Sequence, residues 1–453
     1  MAPGIDRRRV SELTERELAR LLDERPRSAA LLDRAERSMP LGIPMAWMAS
    51  LHGHPPIYMD QGDGAYVFDV DGHRYLDTNI ADTSMFCGYG PEPVVRAVSE
   101  RIRLGSQFLM PSEDAIDVAE ELARRWGLPK WQFTLSATLA NTEAIRIARV
   151  ATGRPAIAMF DGRYHGHADE LLVTVQDGRT VPEYRGLPQG VESRVRIVAF
   201  NDADALAHAL APGDVACVLV EPALTNVGVV MPDPGFHDAL RRATRDAGTL
   251  LVVDETHTLI CGPAGLVGRW GLEPDVVTLG KSIGGGVPFG AYGMREDLAE
   301  LLHAVESYGG PGSVEDEIAT GGTLFGNPLQ MAAARAALTE VLTEDAYART
   351  ADLGARLADG IERVAGAAGL PWKAHRLFAR AGYAFTGELA NRGEGARASH
   401  DGELWRLLRL WMANRGIWEA MEWAGPTVSV PATAADVDAY LAALAELVTE
   451  LTR

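Results

Sequence analysis

From residue 114 to residue 295 short aliphatic runs alternate with stretches of helical periodicity, and that alternation leaves few folds open. The runs are Ala156–Phe160, Val195–Phe200, Ala216–Val220, Thr249–Val253 and Val276–Leu279; the helical stretches include Asp114–Trp126, Asn141–Ala151 and Gly235–Ala247. Continuous β-branched runs, as opposed to alternating ones, are strands covered on both faces. They predict an α/β fold with a mostly parallel sheet joined by right-handed crossovers. In such sheets ligands bind outside the carboxyl ends of the strands, so the residues just after each run are the first place to look for chemistry.

Around this centre the pattern changes. Residues 11–38 read as one charged N-terminal helix, with Thr14 and Glu17 matching a capping box. Residues 56–77 read as a small antiparallel meander, its apolar runs parted by Gly-Asp and Asp-Gly turns. Residues 308–322, rich in Gly and acidic side chains, read as a mobile loop. Beyond Pro328, Ala/Leu/Arg-rich stretches at 328–368 and 434–452 predict helices flanking an α/β segment at 371–430. The expected domains are an N-terminal segment 1–85, a large domain 86–327 and a C-terminal domain 328–453. The first and last would form a smaller α+β domain.

Composition narrows the function classes. The chain has 43 Lys and Arg against 62 Asp and Glu, a net charge of −19 with no basic run, which disfavours nucleic acid and anionic membrane surfaces as partners. No stretch approaches the roughly 18 to 20 apolar residues of a membrane span, and the start of the chain has no signal-like apolar region. Cys87, Cys217 and Cys261 are too few and too scattered for a disulfide framework. A cytoplasmic location is expected.

The run LLVVDE ends on Asp254 and Glu255, and VVTLG is followed by Lys281. Neighbouring strand ends would thus present an acid and an amine to one space. An amine set between a buried strand end and the glycines 284–286 is a usable nucleophile toward an aldehyde. Pyridoxal phosphate needs this pair: a Schiff-base lysine and an acid that keeps its ring nitrogen protonated. From local sequence alone, Asp254 could equally be a strand-end cap and Lys281 a solvated side chain. A P-loop reading of Gly280-Lys281-Ser282 fails because Asp275 stands where that motif requires glycine. His165 and His167 lack the further ligands of a metal site.

Seven ordered segments carry a closer likeness: 63–77 (DGAYVFDVDGHRYLD), 136–149 (SATLANTEAIRIAR), 161–169 (DGRYHGHAD), 220–232 (VEPALTNVGVVMP), 250–258 (LLVVDETHT), 279–293 (LGKSIGGGVPFGAYG) and 321–334 (GGTLFGNPLQMAAA). Through them the chain, from about Pro56 to Ser429, resembles the class III pyridoxal-phosphate aminotransferases of fold type I. Within these it is most similar to the glutamate-1-semialdehyde aminomutase-like branch. The resemblance implies a seven-stranded, mostly parallel sheet and a homodimer with shared sites. Lys281 would form the Schiff base and shuttle the proton, and Asp254 would pair with the ring nitrogen. Thr256 and Tyr164 would lie on the two ring faces, His257 near the phenolic oxygen, and His165 and Glu221 beside the cofactor. Ser136, Ala137 and Thr138 would hold the phosphate at a helix N-terminus, and Thr323 would reach the phosphate in the partner subunit.

Departures from the pattern bear on substrate. Leu135, Ala137 and Leu139 replace the usual Asn, Gly and Glu of the phosphate turn. Trp47 stands where the aminomutase branch has a carboxylate-gripping arginine, and Asp82 replaces an aromatic residue of the same pocket. An indole offers no bidentate fork and an aspartate repels an anion, so the substrate is expected to differ from a glutamate-semialdehyde-like acid. The expected activity is ping-pong transamination between an amine or amino acid and a keto acid, aldehyde or ketone. The alternative is an aminomutase or epimerase of the same family.

Overall fold

A computed structural model describes residues 4–51, 53–303 and 318–453. Its contacts divide the chain into two compact units. One comprises Met1–Pro91, Asp345–Ala390 and Ala396–Arg453; the other comprises Glu92–Glu344 with Asn391–Gly395.

The first, smaller unit opens with two helices where one was expected, Arg7–Asp23 and Pro26–Ala35. Pro26 has no N–H to continue the first helix and instead starts the second. The expected capping box is absent. Asp6 caps the helix by accepting from the Arg8 N–H, and Thr14 lies inside it, donating its hydroxyl to the Val10 carbonyl. Glu17, also interior, is buried and accepts from Asn414 and Arg16. A capping box does exist at the other end of the chain, where Thr433 and Asp436 start the helix Ala434–Leu451.

The meander forms as expected, with strands β1 (Met59–Asp63), β2 (Tyr66–Asp69) and β3 (Arg74–Asp77) antiparallel, and Ile417–Trp418 adding a parallel fourth strand beside β3. Immediately after β3, four non-glycine residues, Ile80, Ala81, Asp82 and Thr83, take positive φ in succession. The buried Asp77 carboxylate anchors this left-handed turn, accepting from the N–H groups of Asn79 and Ile80 at 2.8 Å and from Tyr89 at 2.6 Å. The core of the unit draws on Val10, Leu13, Leu76, Ile361, Trp405, Trp411 and Leu444. Trp405 and Trp411 are therefore core residues.

The second unit holds the sheet. Its strands are β4 (Lys130–Thr134), β5 (Ala156–Phe160), β8 (Val195–Val198), β9 (Val215–Val220), β10 (Leu250–Asp254), β11 (Val276–Gly280) and β12 (Gly290–Met294), while β6 (Val173–Gln176) and β7 (Arg179–Pro182) pair as a separate hairpin. The order across the sheet is β4-β12-β11-β10-β9-β5-β8. Neighbours are parallel from β11 to β8, whereas β12 is antiparallel to both β11 and β4. Only residues 281–289 separate β11 from β12, too few for a crossover helix, so the chain returns antiparallel. All residues of β5 and β9 are buried, which explains their unbroken apolar sequence.

Two strands fall outside the aliphatic runs: β4 carries Lys130, Gln132 and Thr134, and β12 carries Gly290 and Gly293. Their glycines mark close packing. A Cβ at Gly293 would meet the Trp131 ring at 2.4 Å. β8 stops at Val198, short of Phe200, whose ring turns to pack on Phe160 and Phe236. The helical stretch from 328 is two helices, Pro328–Ala336 and Glu344–Ala367, parted by a wide turn at Ala337–Val341. Of the expected loop at 308–322, residues 308–317 lie outside the described residues. Among the described residues, no helix is long and apolar enough to cross a membrane.

Candidate active site

β10 and β11 run in parallel with Asp254 opposite Thr278, so Asp254 and Lys281 emerge at the same end of adjacent strands. Lys281 follows β11 directly and opens the short turn Lys281–Gly284 with φ of +53°. A non-glycine residue in that region carries strain of the order of 1–2 kcal/mol, characteristic of functional positions. Gly280 lets the strand end approach the neighbouring helix, since a Cβ there would meet Ala137 at 2.8 Å.

That helix, Ala137–Thr152, begins at the same end of the sheet. Ser136 is its N-cap, accepting from the Leu139 N–H, and Thr138 Oγ1 accepts from the His167 N–H at 3.2 Å. The turn is packed around close backbone approaches: a Cβ at Gly166 would meet Thr138 Oγ1 at 2.3 Å, and one at Gly290 would meet the Ser136 carbonyl at 2.3 Å. Unpaired amides at a helix start, with two hydroxyls beside them, suit a phosphate group. Ala137 in place of glycine is accommodated as the first residue of this helix.

Asp254 is buried. Its Oδ2 accepts from Asn141 Nδ2 at 2.8 Å and from His165 Nδ1 at 2.9 Å, and its Oδ1 accepts from the Thr256 N–H at 3.0 Å. Burial would push the carboxyl up. The hydrogen bonds and charge of His165, with those from Thr256 and Asn141, outweigh it and hold the group below the usual carboxylate range. His165 therefore spends Nδ1 on the aspartate. Among the described residues no cluster of three His, Cys, Asp or Glu could hold a metal.

A second network lies beside the first. Glu221, buried at the end of β9, accepts from the Tyr164 N–H at 3.2 Å, from Asn226 at 3.0 Å and from the Thr225 N–H and hydroxyl. With the Thr225 proton directed at Glu221, His257 Nδ1 donates to Thr225 Oγ1 at 2.8 Å. The Tyr164 ring remains half exposed. Thr323 lies exposed on a turn held by three side chains: Gln107 donates to the Thr323 carbonyl, Arg146 to the Ala319 carbonyl, and Glu143 accepts from the Gly321 N–H. Trp47 and Asp82 belong to the smaller unit, Trp47 half exposed on the turn Ala46–Ser50 and Asp82 within the left-handed turn.

Sequence reasoning missed Asn141, Thr225, Asn226 and Thr278. Asn141 did leave a signal: it shares a helix face with the buried Ala144, Ile145 and Ala148, and a polar residue on a buried face needs partners.

The residues fit pyridoxal phosphate. An ionised acid is ready for a protonated ring nitrogen, an open helix start for the phosphate and an amine for the aldehyde. Thr256 Oγ1 is buried without a hydrogen-bond partner among the described residues, as expected of a hydroxyl that meets a cofactor.

Comparison with known proteins agrees. The family described as Aminotransferase class-III matches residues 47–369. A glutamate-1-semialdehyde 2,1-aminomutase of Thermus thermophilus is 35% identical over 438 residues, covering 93% of this chain and 99% of the relative. The crystal structure of a glutamate-1-semialdehyde-aminomutase from Pseudomonas aeruginosa superposes with a TM-score of 0.94 at 40% identity, covering 99% of this chain and 100% of that one, and a variant of it is known in complex with PMP. An omega-transaminase from Sphaerobacter thermophilus superposes with a TM-score of 0.84 at 30% identity, covering 94% of this chain and 97% of that one. The chain belongs to the class III aminotransferases, pyridoxal-phosphate enzymes of fold type I.

Proposed function

We propose that this enzyme moves an amino group between adjacent carbons of one small amino aldehyde acid, as a glutamate-1-semialdehyde-type aminomutase. The 40% identity to the Pseudomonas aeruginosa aminomutase along nearly the whole chain favours transfer within one substrate over transfer between two. The observation that carries the chemistry is Asp254, buried and ionised with three donors on it, at the end of the strand beside Lys281.

Bound pyridoxal phosphate supplies an aldehyde carbon and an electron-accepting ring. Lys281 takes the proton from the substrate carbon that bears nitrogen and returns it to the other. Asp254 holds the proton on the ring nitrogen. Ser136, Ala137 and Thr138 fix the phosphate, while Thr256 and Tyr164 confine the ring. Glu221 takes the Thr225 proton, so Thr225 Oγ1 accepts from His257 Nδ1 and fixes the orientation of that ring beside the cofactor oxygen.

The enzyme works as a cytoplasmic homodimer in which Thr323 of each chain serves the phosphate site of the other. Its exposed position supports this, as does the run of exposed apolar residues Leu104, Phe108, Leu109 and Met110, with Leu324 next to Thr323.

A second reading, two-substrate transamination, is favoured by Trp47 in place of the arginine and by Asp82. Turnover of an amino aldehyde acid with no added acceptor distinguishes the two. An aminomutase returns only the isomeric amino ketone, whereas a transaminase uses the aldehyde of a second substrate molecule as acceptor and accumulates a diamine and a dicarbonyl product in equal amounts. Lys281→Ala should abolish both outcomes and the visible absorbance of the lysine-bound cofactor. Trp47→Arg should raise the rate on acidic over neutral substrates.

A further inference from the structure

We propose that Asn141 is a positioning residue for Asp254, closing a buried ring of hydrogen bonds that leaves one chosen carboxylate oxygen to receive the ring nitrogen. This rests on the reading that Asp254 meets a pyridine nitrogen.

Asn141 is fully buried and uses every polar atom of its side chain. Nδ2 donates one hydrogen to Asp254 Oδ2 at 2.8 Å and the other to the His165 carbonyl at 2.9 Å, while Oδ1 accepts from the Thr278 hydroxyl at 2.6 Å. The amide can sit only one way round, because a flip would set Oδ1 against two acceptors, the Asp254 carboxylate and the His165 carbonyl. His165 closes the ring by donating Nδ1–H to the same Oδ2 at 2.9 Å. An oxygen with two donors has both lone-pair directions occupied. Oδ1 has the Thr256 N–H alone in that count, so the direction left for a further N–H lies on Oδ1.

Asn141 also connects parts of the site that sequence keeps apart. It stands in the first turn and a half of the helix whose start faces the phosphate site. It reaches Asp254 at the end of β10 and Thr278 on β11, three residues before Lys281. A shift of the helix would therefore reach the carboxylate and the lysine-bearing strand together. Buried networks of this kind, once complete, fix a single arrangement.

The test uses the full-length protein loaded with pyridoxal phosphate labelled with nitrogen-15 in the ring. Asn141→Leu keeps the branched outline of the side chain and removes both donors. The expected result is a ring-nitrogen resonance moved toward its unprotonated position, with kcat about 10- to 100-fold lower and KM little changed, as for loss of a supporting residue behind a reacting group. Thr278→Val, which removes only the donor to Asn141, should move the resonance the same way by less, and it decides the matter if Asn141→Leu does not fold. A resonance and kcat unmoved in the folded variants would overturn the assignment to Asn141. A wild-type ring nitrogen already unprotonated, or a wild-type protein that takes up no cofactor, would overturn the reading of Asp254 and this proposal with it.

Discussion

Glu419 shows how strongly a single buried side chain is coupled to proton concentration in this protein. Its carboxylate accepts from the Ala420 N–H at 2.9 Å and from Tyr440, whose oxygen in turn meets Tyr383. Burial pushes the carboxyl up to about 7 from 4.5. The folded state thus binds this proton more tightly than the unfolded chain, and Glu419 favours folding most below its unfolded pKa. Stability is lost as pH rises between roughly 4.5 and 7. In Glu419→Gln the fall of the urea midpoint across that window should become shallower than in wild type, though not flat. Asp77 and Glu255, pushed up by burial to about 6 and about 7, act in the same direction. Curves that run parallel would show that Glu419 does not titrate there. Asp254 has the opposite sign: held below the usual range, its contribution is present at neutral pH and lost on acidification.

Among the elements, the left-handed turn Ile80–Thr83 is the least expected. Each L-residue there carries of the order of 1–2 kcal/mol of strain, offset by the Asp77 anchor and by burial of Ile80 and Thr83. Ala81 is exposed with φ of 45°, so Ala81→Gly loses no packing while removing the strain. The relief less the added freedom of the unfolded chain should raise stability by about 0.5 kcal/mol or more, read as a higher thermal midpoint. No local signal announced this turn, because TNIADTSM has neither glycine nor an Asn-Gly pair to mark positive φ. Legibility followed the same rule elsewhere. Asp254 and Lys281 stand at strand ends, where local sequence fixes position, and they could be picked out, whereas Ser136 came only with the family resemblance. Asn141 and Thr278 could not, because their roles arise when a helix and two strands meet. The false capping box at Thr14 and Glu17 failed for a related reason: hydroxyl and carboxylate match the spacing, but Asp6 had already begun the helix.

For the whole molecule, the sheet was readable where both faces are covered and unreadable at β4 and β12, where polar residues and glycines carry close packing in place of aliphatic bulk. The proposed dimer makes a prediction at this scale. Leu109→Glu with Met110→Glu puts two charges on the exposed apolar run. Wild type should sediment at twice the chain mass and the double variant at the chain mass, with weaker cofactor retention; a double variant still at twice the mass would place the interface elsewhere.

The smaller unit is assembled from segments hundreds of residues apart. Arg7 pairs with Asp401, Arg9 with Glu450, and Val10 and Leu13 share a core with Leu444 and Leu451. On the ribosome, the first ninety or so residues therefore emerge before the segments that complete the core around Val10 and Leu13. The sheet-bearing unit, nearly continuous in sequence, can close while translation proceeds. The N-terminal helices complete their packing only once the segments bearing Asp401, Leu444 and Leu451 have been made.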